Sequence, residues 1–408
     1  MRRLSKMTLV LSLVTFLLTG CWDGREPQEL MHAVLLAFDI DDQGNYEAII
    51  QFPGPGTAAG GGGEGGGAGG GGRRTPFTTN SAKGPTPFAA IRNLSSTTSR
   101  LISLSHLRML LISERLARHG IGAIVDLLEK DRELRLSLHA AVVEGDLKRL
   151  FTAPFPLEST PAMGLERLVR LMKYERSITP DAPFLEKLGE LARPGEEMLL
   201  SRIQALPAGS PATEEAAPSE GSQAGSQRPT ALAAGGAVFQ GEKMVGWFDT
   251  DATRGYMLIR GKARRDSVVV KSPDGEGYIA IDVFKSKATL EPVVEDGKVS
   301  MQVKIMVHGR IQDQTSLGGN LSGLDLQNPQ VLALLKNNLA EAISNYAELS
   351  LARARELRVD VFGFGNAVYR KYPYQWEKIG QYWPEIFPTV PVDITVKAVI
   401  NRPGRGVR

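Results

Sequence analysis

Cysteine is nearly absent from this sequence, since Cys21 is the only one in 408 residues. A lone thiol forms no internal disulfide, and it excludes zinc and iron–sulfur sites that need several thiolates. Histidine is also scarce, and its five positions show no HExxH or other metal-ligand spacing. They are His32, His106, His119, His139 and His308. The sequence therefore predicts no metal centre and no cofactor.

Catalytic and nucleic-acid-binding patterns are missing as well. There is no GxSxG elbow and no GxxxxGK[ST] loop. The net charge of +3 is small and dispersed, so no nucleic acid is expected as a partner. Ser105 and His106 adjoin an apolar strand and favour a structural histidine, and Asp249 and Asp251 favour caps and turns over a glycosidase pair. These patterns indicate that the protein is not an enzyme.

No hydrophobic run is long enough to span a bilayer. Met7 to Leu18 is an apolar stretch without charge, preceded by Arg2, Arg3 and Lys6. A membrane-spanning helix needs roughly 20 apolar residues, and this run is well short of that. The arrangement is typical of a signal peptide, which we assign to residues 1–20.

The lone cysteine follows this signal directly. Leu18, Thr19, Gly20 and Cys21 match a bacterial lipobox, in which Cys21 carries S-diacylglyceryl and N-acyl groups after cleavage. Several acyl chains hold a protein on a membrane durably, whereas one chain does so only marginally. The alternatives are an ordinary cleaved signal with a chance cysteine beside it, or a signal anchor that is never cut.

Two low-complexity stretches divide the rest of the chain. Residues 54–72 are mostly glycine and predict a flexible loop; they satisfy GxGxxG trivially but lack its strand-turn-helix context. Residues 207–230 are rich in Ala, Ser, Gly, Pro and Glu and predict a disordered linker or surface loop. We therefore expect an amino-terminal region at 21–206 and a carboxy-terminal domain at 231–408.

The amino-terminal region alternates short strand and helix patterns, which predicts a mixed α/β arrangement. It opens with "AVLLAFDIDDQGNYEAIIQF", two apolar runs around an acidic turn. Asp39, Asp41 and Gly44 have the offsets of a calcium loop, but Gln43 and Ile50 occupy other ligand positions, so a hairpin turn is favoured. Beyond it, "GPTPFAAIRNLSSTTSR", "IGAIVDLLEKD" and "MGLERLVRLMKYER" predict helices, while "HLRMLLIS" and "LHAAVVEGD" predict strands.

The carboxy-terminal domain is predicted to be α+β, with an antiparallel sheet packed against a long helix. "GGAVFQGEKMVGWFD" predicts a hairpin, and alternating residues over 279–307 predict long antiparallel strands with a turn at 295–298. Asn328 and Pro329 then start a helix running to about Leu357. Its predicted apolar face is Leu332, Leu335, Leu339, Ile343, Tyr346 and Leu349, and a last strand covers 392–400. Aromatic residues cluster in "YRKYPYQWEKIGQYWPEIF", and a core role is favoured over a recognition or membrane-interface face.

Several blocks, in order, resemble Ger(x)C proteins, the C subunits of nutrient germinant receptors in endospore-forming bacteria. They are "GCWDGREPQEL", "LSHLRMLLISERLARHG", "KDREL", "GGAVFQGEKMVGWFD", "DVFGFGNAVYRKYPYQW" and "VPVDITVKAVINRPG". Gly24 and Pro27 depart from the usual residues after Cys-Trp-Asp, and both low-complexity stretches look like insertions.

The resemblance implies a lipoprotein attached through Cys21 to the outer face of the spore inner membrane. It implies assembly with an A and a B subunit, both integral membrane proteins, and a role in triggering germination without enzymatic activity. Two other function classes stay open: a lipid-anchored solute-binding protein, and, less favoured, a tethered hydrolase.

Overall fold

The computed structural model describes residues 29–54, 77–131, 134–135, 137–155, 157–207, 230–273, 277–316 and 328–401. Cys21 and the predicted lipobox residues Leu18, Thr19 and Gly20 lie outside these ranges, as do nearly all of the glycine tract and of segment 207–230. Predictions about them are not tested by the fold.

The described strands form three sheets. Their bounds are β1 Leu30–His32, β2 Leu35–Ile40, β3 Tyr46–Pro53, β4 Phe77–Gly84, β5 Leu101–Ser103, β6 Met109–Ser113, β7 His139–Gly145, β8 Leu199–Leu206, β9 Thr230–Gln240, β10 Lys243–Phe248, β11 Asp266–Lys271, β12 Gly277–Glu295, β13 Lys298–Ser316 and β14 Val392–Asn401.

Helices cover both faces of the largest sheet and one face of the carboxy-terminal one. Their bounds are α1 Pro87–Ser95, α2 Glu114–His119, α3 Gly122–Lys130, α4 Leu147–Leu150, α5 Pro161–Arg176, α6 Phe184–Leu191, α7 Thr250–Ile259, α8 Pro329–Leu357, α9 Phe364–Lys371, α10 Pro373–Ile379 and α11 Trp383–Ile386, with 3-10 turns at Gly380–Tyr382 and Phe387–Thr389.

The eight-stranded sheet has the order β10-β9-β8-β7-β6-β2-β3-β4. Strands β2, β6, β7 and β8 are parallel, and antiparallel pairs extend both edges. Leu36 and Phe38 pack on the side of α1, α2, α3 and α6, whereas Leu35 and Ala37 pack on the side of α4 and α5. Burial on both faces explains the continuous apolar runs of these strands, and it confirms the mixed α/β prediction.

The first hairpin forms around its acidic turn as predicted. Strands β2 and β3 pair antiparallel, with Ile40 opposite Tyr46. The Asp41 carboxylate accepts the backbone N–H groups of Gln43 and Asn45 at 3.0 and 2.9 Å, and it accepts Lys83 Nζ at 2.8 Å. These bonds stabilise the turn with protein donors, in agreement with the turn interpretation.

Strands from both sides of segment 207–230 lie in one sheet. Strand β9 pairs antiparallel with β8, from Leu206 opposite Thr230 to Leu199 opposite Val238. The predicted β9–β10 hairpin is confirmed, and it adds to the edge of the amino-terminal sheet. The proposed division into domains at this segment remains a prediction.

The carboxy-terminal sheet has the order β11-β12-β13-β14 and confirms the α+β prediction. Strands β12 and β13 form a hairpin of 19 residues a side, closed at Glu295 and Lys298. Strand β14 pairs with β13 in parallel, from Met301 opposite Val392 to Arg310 opposite Asn401. The parallel pairing requires a long crossover, which α8 and the helices after it supply.

The long helix begins and ends as predicted, but its buried face differs in the second half. Asn328 caps it and Pro329 opens it. Leu349 is 53% exposed, so its assignment to the apolar face was wrong. The buried positions there are Ala347, Ser350, Leu351 and Ala354. Small residues occupy most of these positions because α7 packs closely against this part of α8.

Candidate functional site

The predicted attachment residue Cys21 lies eight residues before Glu29, the first described residue. Fully extended chain advances at most about 3.6 Å per residue, so the two α-carbons are no more than about 29 Å apart. Lipidation of Cys21 would therefore hold the start of β1 close to a membrane surface.

The other candidate residues named from the sequence have structural roles. Asp249 caps α7 by accepting the N–H of Ala252 at 2.8 Å, and Asp251 pairs with Arg254 at 3.0 Å. Ser105 lies 3.5 Å from His32 Nδ1, and the His106 ring packs against His32 with centroids 4.4 Å apart. The described residues contain no cluster of three or more potential metal-ligating side chains.

The carboxy-terminal aromatic cluster is divided between core and surface. Trp383 is 3% exposed and belongs to the core, as favoured from the sequence. Tyr374 is 81% exposed and Tyr382 56%, so the core interpretation was wrong for them.

Of the described helices, none is long and apolar enough to cross a membrane.

A crevice of about 490 Å³ opens at the carboxyl ends of β2, β6 and β7. Chain leaving β6 enters α2 on one face, whereas chain leaving β7 enters α4 on the other, and ligand crevices of open α/β sheets form at such points. Its charged side chains are three acids, Asp39, Glu114 and Asp146, and three bases, Arg115, Arg118 and Lys148.

These charges neutralise one another or their close neighbours. Arg115 Nη2 lies 3.0 Å from Asp39 Oδ2, and the bond with Asp39 raises the pKa of that guanidinium. Arg118 pairs with Glu114 at 2.8 Å, and Lys148 pairs with Glu47 at 2.8 Å. The crevice therefore has the position of a ligand site but no charge excess to select a ligand.

An ionic network, which we call the junction network, joins α6 to the segment after α7. Lys187 and Glu190 are almost fully buried and pair at 2.9 Å. Lys262 Nζ lies 3.0 Å from Glu190 and 2.8 Å from Glu186. These contacts connect α6 to the segment between α7 and β11.

A second part of the junction network links Arg260 to the amino-terminal region and to the loop after α8. Arg260 Nη2 pairs with the buried Glu196 at 2.6 Å, and Nη1 donates to the carbonyl of Phe362 at 2.6 Å. Sequence reasoning missed this network because Arg260 and Lys262 lie 64 to 76 residues after their glutamate partners, a separation that carries no recognisable spacing.

We expect Glu190→Gln to lower the free energy of unfolding by about 3 kcal/mol, because it leaves the ammonium of Lys187 buried without its counter-charge. Burial acts to raise the pKa of Glu190, but Lys187 and Lys262 hold it at about 2, below the ordinary 4.5. The wild-type advantage is thus present above pH 4.5 and is lost as pH falls towards 2. Urea unfolding as a function of pH would measure it.

The exposed Glu341 on α8 provides the control. Glu341→Gln is expected to change stability by less than about 0.5 kcal/mol. An equal effect of the two substitutions would contradict the role of the junction network.

Comparison with protein families agrees with the ordered sequence blocks. A family model for the spore germination protein N-terminal domain matches residues 23–205, and a model for the spore germination B3/GerAC-like C-terminal region matches residues 234–404.

Individual relatives from Bacillus subtilis (strain 168) match over nearly the whole chain. Spore germination protein KC is 25% identical, covering 98% of this chain and 95% of its own. Spore germination protein B3 is 23% identical, covering 95% and 94%.

A solved structure has the same fold. The crystal structure of the GerBC protein aligns with a TM-score of 0.53 and 16% identity, covering 90% of this chain and 96% of its own. The two matched family models together extend over most of the sequence, from residue 23 to residue 404. The chain therefore belongs to the GerAC-like family of spore germination proteins.

Proposed function

We propose that this protein is the lipid-anchored C subunit of a spore nutrient germinant receptor. The observation that carries the proposal is the position of the lone Cys21 at the end of a lipobox, in a chain whose family is that of spore germination proteins. In this proposal residues 1–20 are removed, Cys21 carries S-diacylglyceryl and N-acyl groups, and residues 21–408 lie on the outer face of the spore inner membrane.

The proposal includes two partners, the integral membrane A and B subunits of the receptor. The relatives include spore germination proteins A3, B3 and KC, a series of homologous proteins in one organism. The contribution of this subunit would be assembly and signalling, since the charged crevice and the junction network are internally paired.

Cys21→Ala is expected to release the protein from spore membranes and to slow nutrient-triggered germination at least about tenfold, because the acyl chains that provide durable anchoring are lost. Membrane partitioning, intact mass and germination rate would be measured on the same spores. Ser12→Ala, in the apolar stretch but outside the lipobox, is the control and should behave as wild type.

Two results would contradict the proposal. One is normal germination by spores in which the Cys21→Ala protein stays membrane-bound. The other is recovery of the wild-type protein from detergent-solubilised spore membranes without two integral membrane subunits.

A further inference from the structure

A basic cleft of about 500 Å³ opens at the amino ends of β6 and β7, at the opposite ends of these strands from the neutral crevice. Four cationic and two acidic side chains line it, which leaves two positive charges in excess with histidines neutral. They are Arg108, Arg135, Arg170, Lys173, Glu166 and Asp181.

One buried carboxylate positions two of the arginines. Glu166 Oε2 accepts from Arg108 at 2.9 Å, and Oε1 accepts from Arg170 at 3.0 Å. The Glu166 side chain is 9% exposed, whereas both arginine side chains are 48% exposed. A single carboxylate cannot neutralise two guanidinium groups, each of which has five N–H donors. The pair is held in place and keeps donors available to an anion.

The other charged groups of the cleft are one acid, Asp181, and two bases, Lys173 and Arg135. The Asp181 carboxylate is buried and contacts His139 Nδ1 at 2.7 Å, while Lys173 donates to the Asp181 backbone carbonyl. Burial lowers the pKa of Lys173. Arg135 is exposed and forms no ion pair with any described residue.

An apolar groove of about 570 Å³ adjoins the basic cleft and shares Arg170 and Tyr174 with it. Leu157 is 94% exposed, Leu171 52% and Tyr174 45%. Cationic groups beside exposed leucine and tyrosine match an amphiphile that has an anionic head and apolar chains.

The basic cleft also lies against β1, the first described strand after Cys21. Ser105 and His106 line it, and both contact His32 at the end of β1. Strand β1 starts at Leu30, nine residues after Cys21, and so within about 32 Å of it by chain length.

We propose that the basic cleft binds the phosphate group of an anionic membrane phospholipid, with Leu157, Leu171 and Tyr174 entering the membrane interface. The location of the cleft at the membrane rests on the proposed anchoring through Cys21. Arginine suits this role because its planar donors pair with phosphate oxygens in a bidentate manner. Bound lipid would orient the protein on the membrane, which a flexible acyl anchor alone does not do.

The test uses the full mature chain carrying Cys21→Ser, so that binding does not depend on acylation. Flotation would measure its affinity for phosphatidylcholine vesicles with and without phosphatidylglycerol. The double variant Arg135→Gln/Arg170→Gln should bind the anionic vesicles at least about tenfold more weakly, since each basic residue at a membrane surface contributes about 1 kcal/mol.

The control is Arg118→Gln/Arg370→Gln, which removes the same charge at two exposed positions outside the cleft, on α2 and α9. Arg118 matches Arg170 closely, because it is 46% exposed and pairs with a glutamate one helical turn away. This variant should lose less than about threefold in affinity. Equal losses of vesicle affinity in the two double variants would mean that only the overall charge of the protein matters. That result would overturn the proposal.

Inorganic phosphate tests whether the basic cleft binds the phosphate of a lipid or a soluble phosphate. Phosphate should shift the imidazole NMR signals of His106 and His139 in the wild-type sequence and not in the cleft variant. Leu171→Gln should weaken vesicle binding and leave the phosphate response intact. Phosphate binding without vesicle binding would overturn the proposal that the ligand is a lipid. Absence of both phosphate binding and vesicle binding would overturn the proposed site. Failure of the Cys21 experiment in spores would leave these results unchanged, so the two proposals fail separately.

Discussion

Replacing Gly255 with alanine is expected to destabilise the protein by at least about 4 kcal/mol. A β-carbon at this position would lie 1.9 Å from the carbonyl oxygen of Tyr346 and 2.7 Å from the β-carbon of Ser350. Both atoms belong to α8, so relief requires the separation of α7 from the long helix. A closely packed core accommodates an added methyl group poorly when that group clashes with backbone atoms. Urea unfolding followed by circular dichroism would measure the loss.

Gly189→Ala provides the matched control, since it makes the same change inside another helix. A β-carbon there would meet only the Arg193 side chain, at 3.6 Å. Alanine stabilises a helix interior by up to about 1 kcal/mol relative to glycine, so this variant should gain stability. Wild-type stability in the Gly255→Ala protein would mean that α7 and α8 are less closely packed in solution.

The close contact at Gly255 also explains which part of the fold could be predicted from the sequence. Alternation along β12 and β13 and the Asn328-Pro329 start of α8 are local signals, and both predictions are confirmed. The apolar face of α8 was misjudged at Leu349, because apolar periodicity identifies large residues, while contact with α7 requires small ones such as Ala347 and Ser350.

Strand partners and the basic cleft could not be predicted in the same way. The pattern of β9 predicts a strand, but the pattern does not specify that its neighbour is β8, on the far side of segment 207–230. The basic cleft collects side chains from Ser105 to Pro183, which belong to separate elements. Lipobox residues, in contrast, are recognised as a linear sequence, which is why Cys21 could be proposed without a fold.

The loop after α8 is organised by one buried carboxylate, that of Asp360. Oδ1 accepts the backbone N–H groups of Phe362, Gly363 and Phe364 at 3.1, 2.9 and 3.2 Å. Oδ2 accepts the N–H of Gly365 at 2.7 Å and Trp383 Nε1–H at 2.9 Å. The Asp360 carbonyl also accepts the N–H of Glu197 at 2.9 Å, which connects this loop to the amino-terminal region.

Asp360→Asn is expected to lower the free energy of unfolding by about 4 kcal/mol, although the side chains are nearly isosteric. An amide NH2 in place of Oδ2 would face the N–H groups of Gly365 and Trp383, leaving buried donors without acceptors. Burial raises the pKa of Asp360 to about 6, while the N–H groups of Gly363, Phe364, Gly365 and Trp383 act in the opposite direction.

The measurement is urea unfolding at pH 7 beside Asp393→Asn, an exposed position on β14 where the same change should cost less than about 0.5 kcal/mol. The Asp360 variant should also exchange the backbone amide of Glu197 faster, since that amide is bonded to the loop. Rapid exchange at Glu197 together with lost stability would show that one carboxylate maintains both the loop and its link to the amino-terminal sheet. Lost stability with unchanged exchange at Glu197 would confine the role of Asp360 to the loop, and unchanged stability would contradict the five-donor arrangement itself.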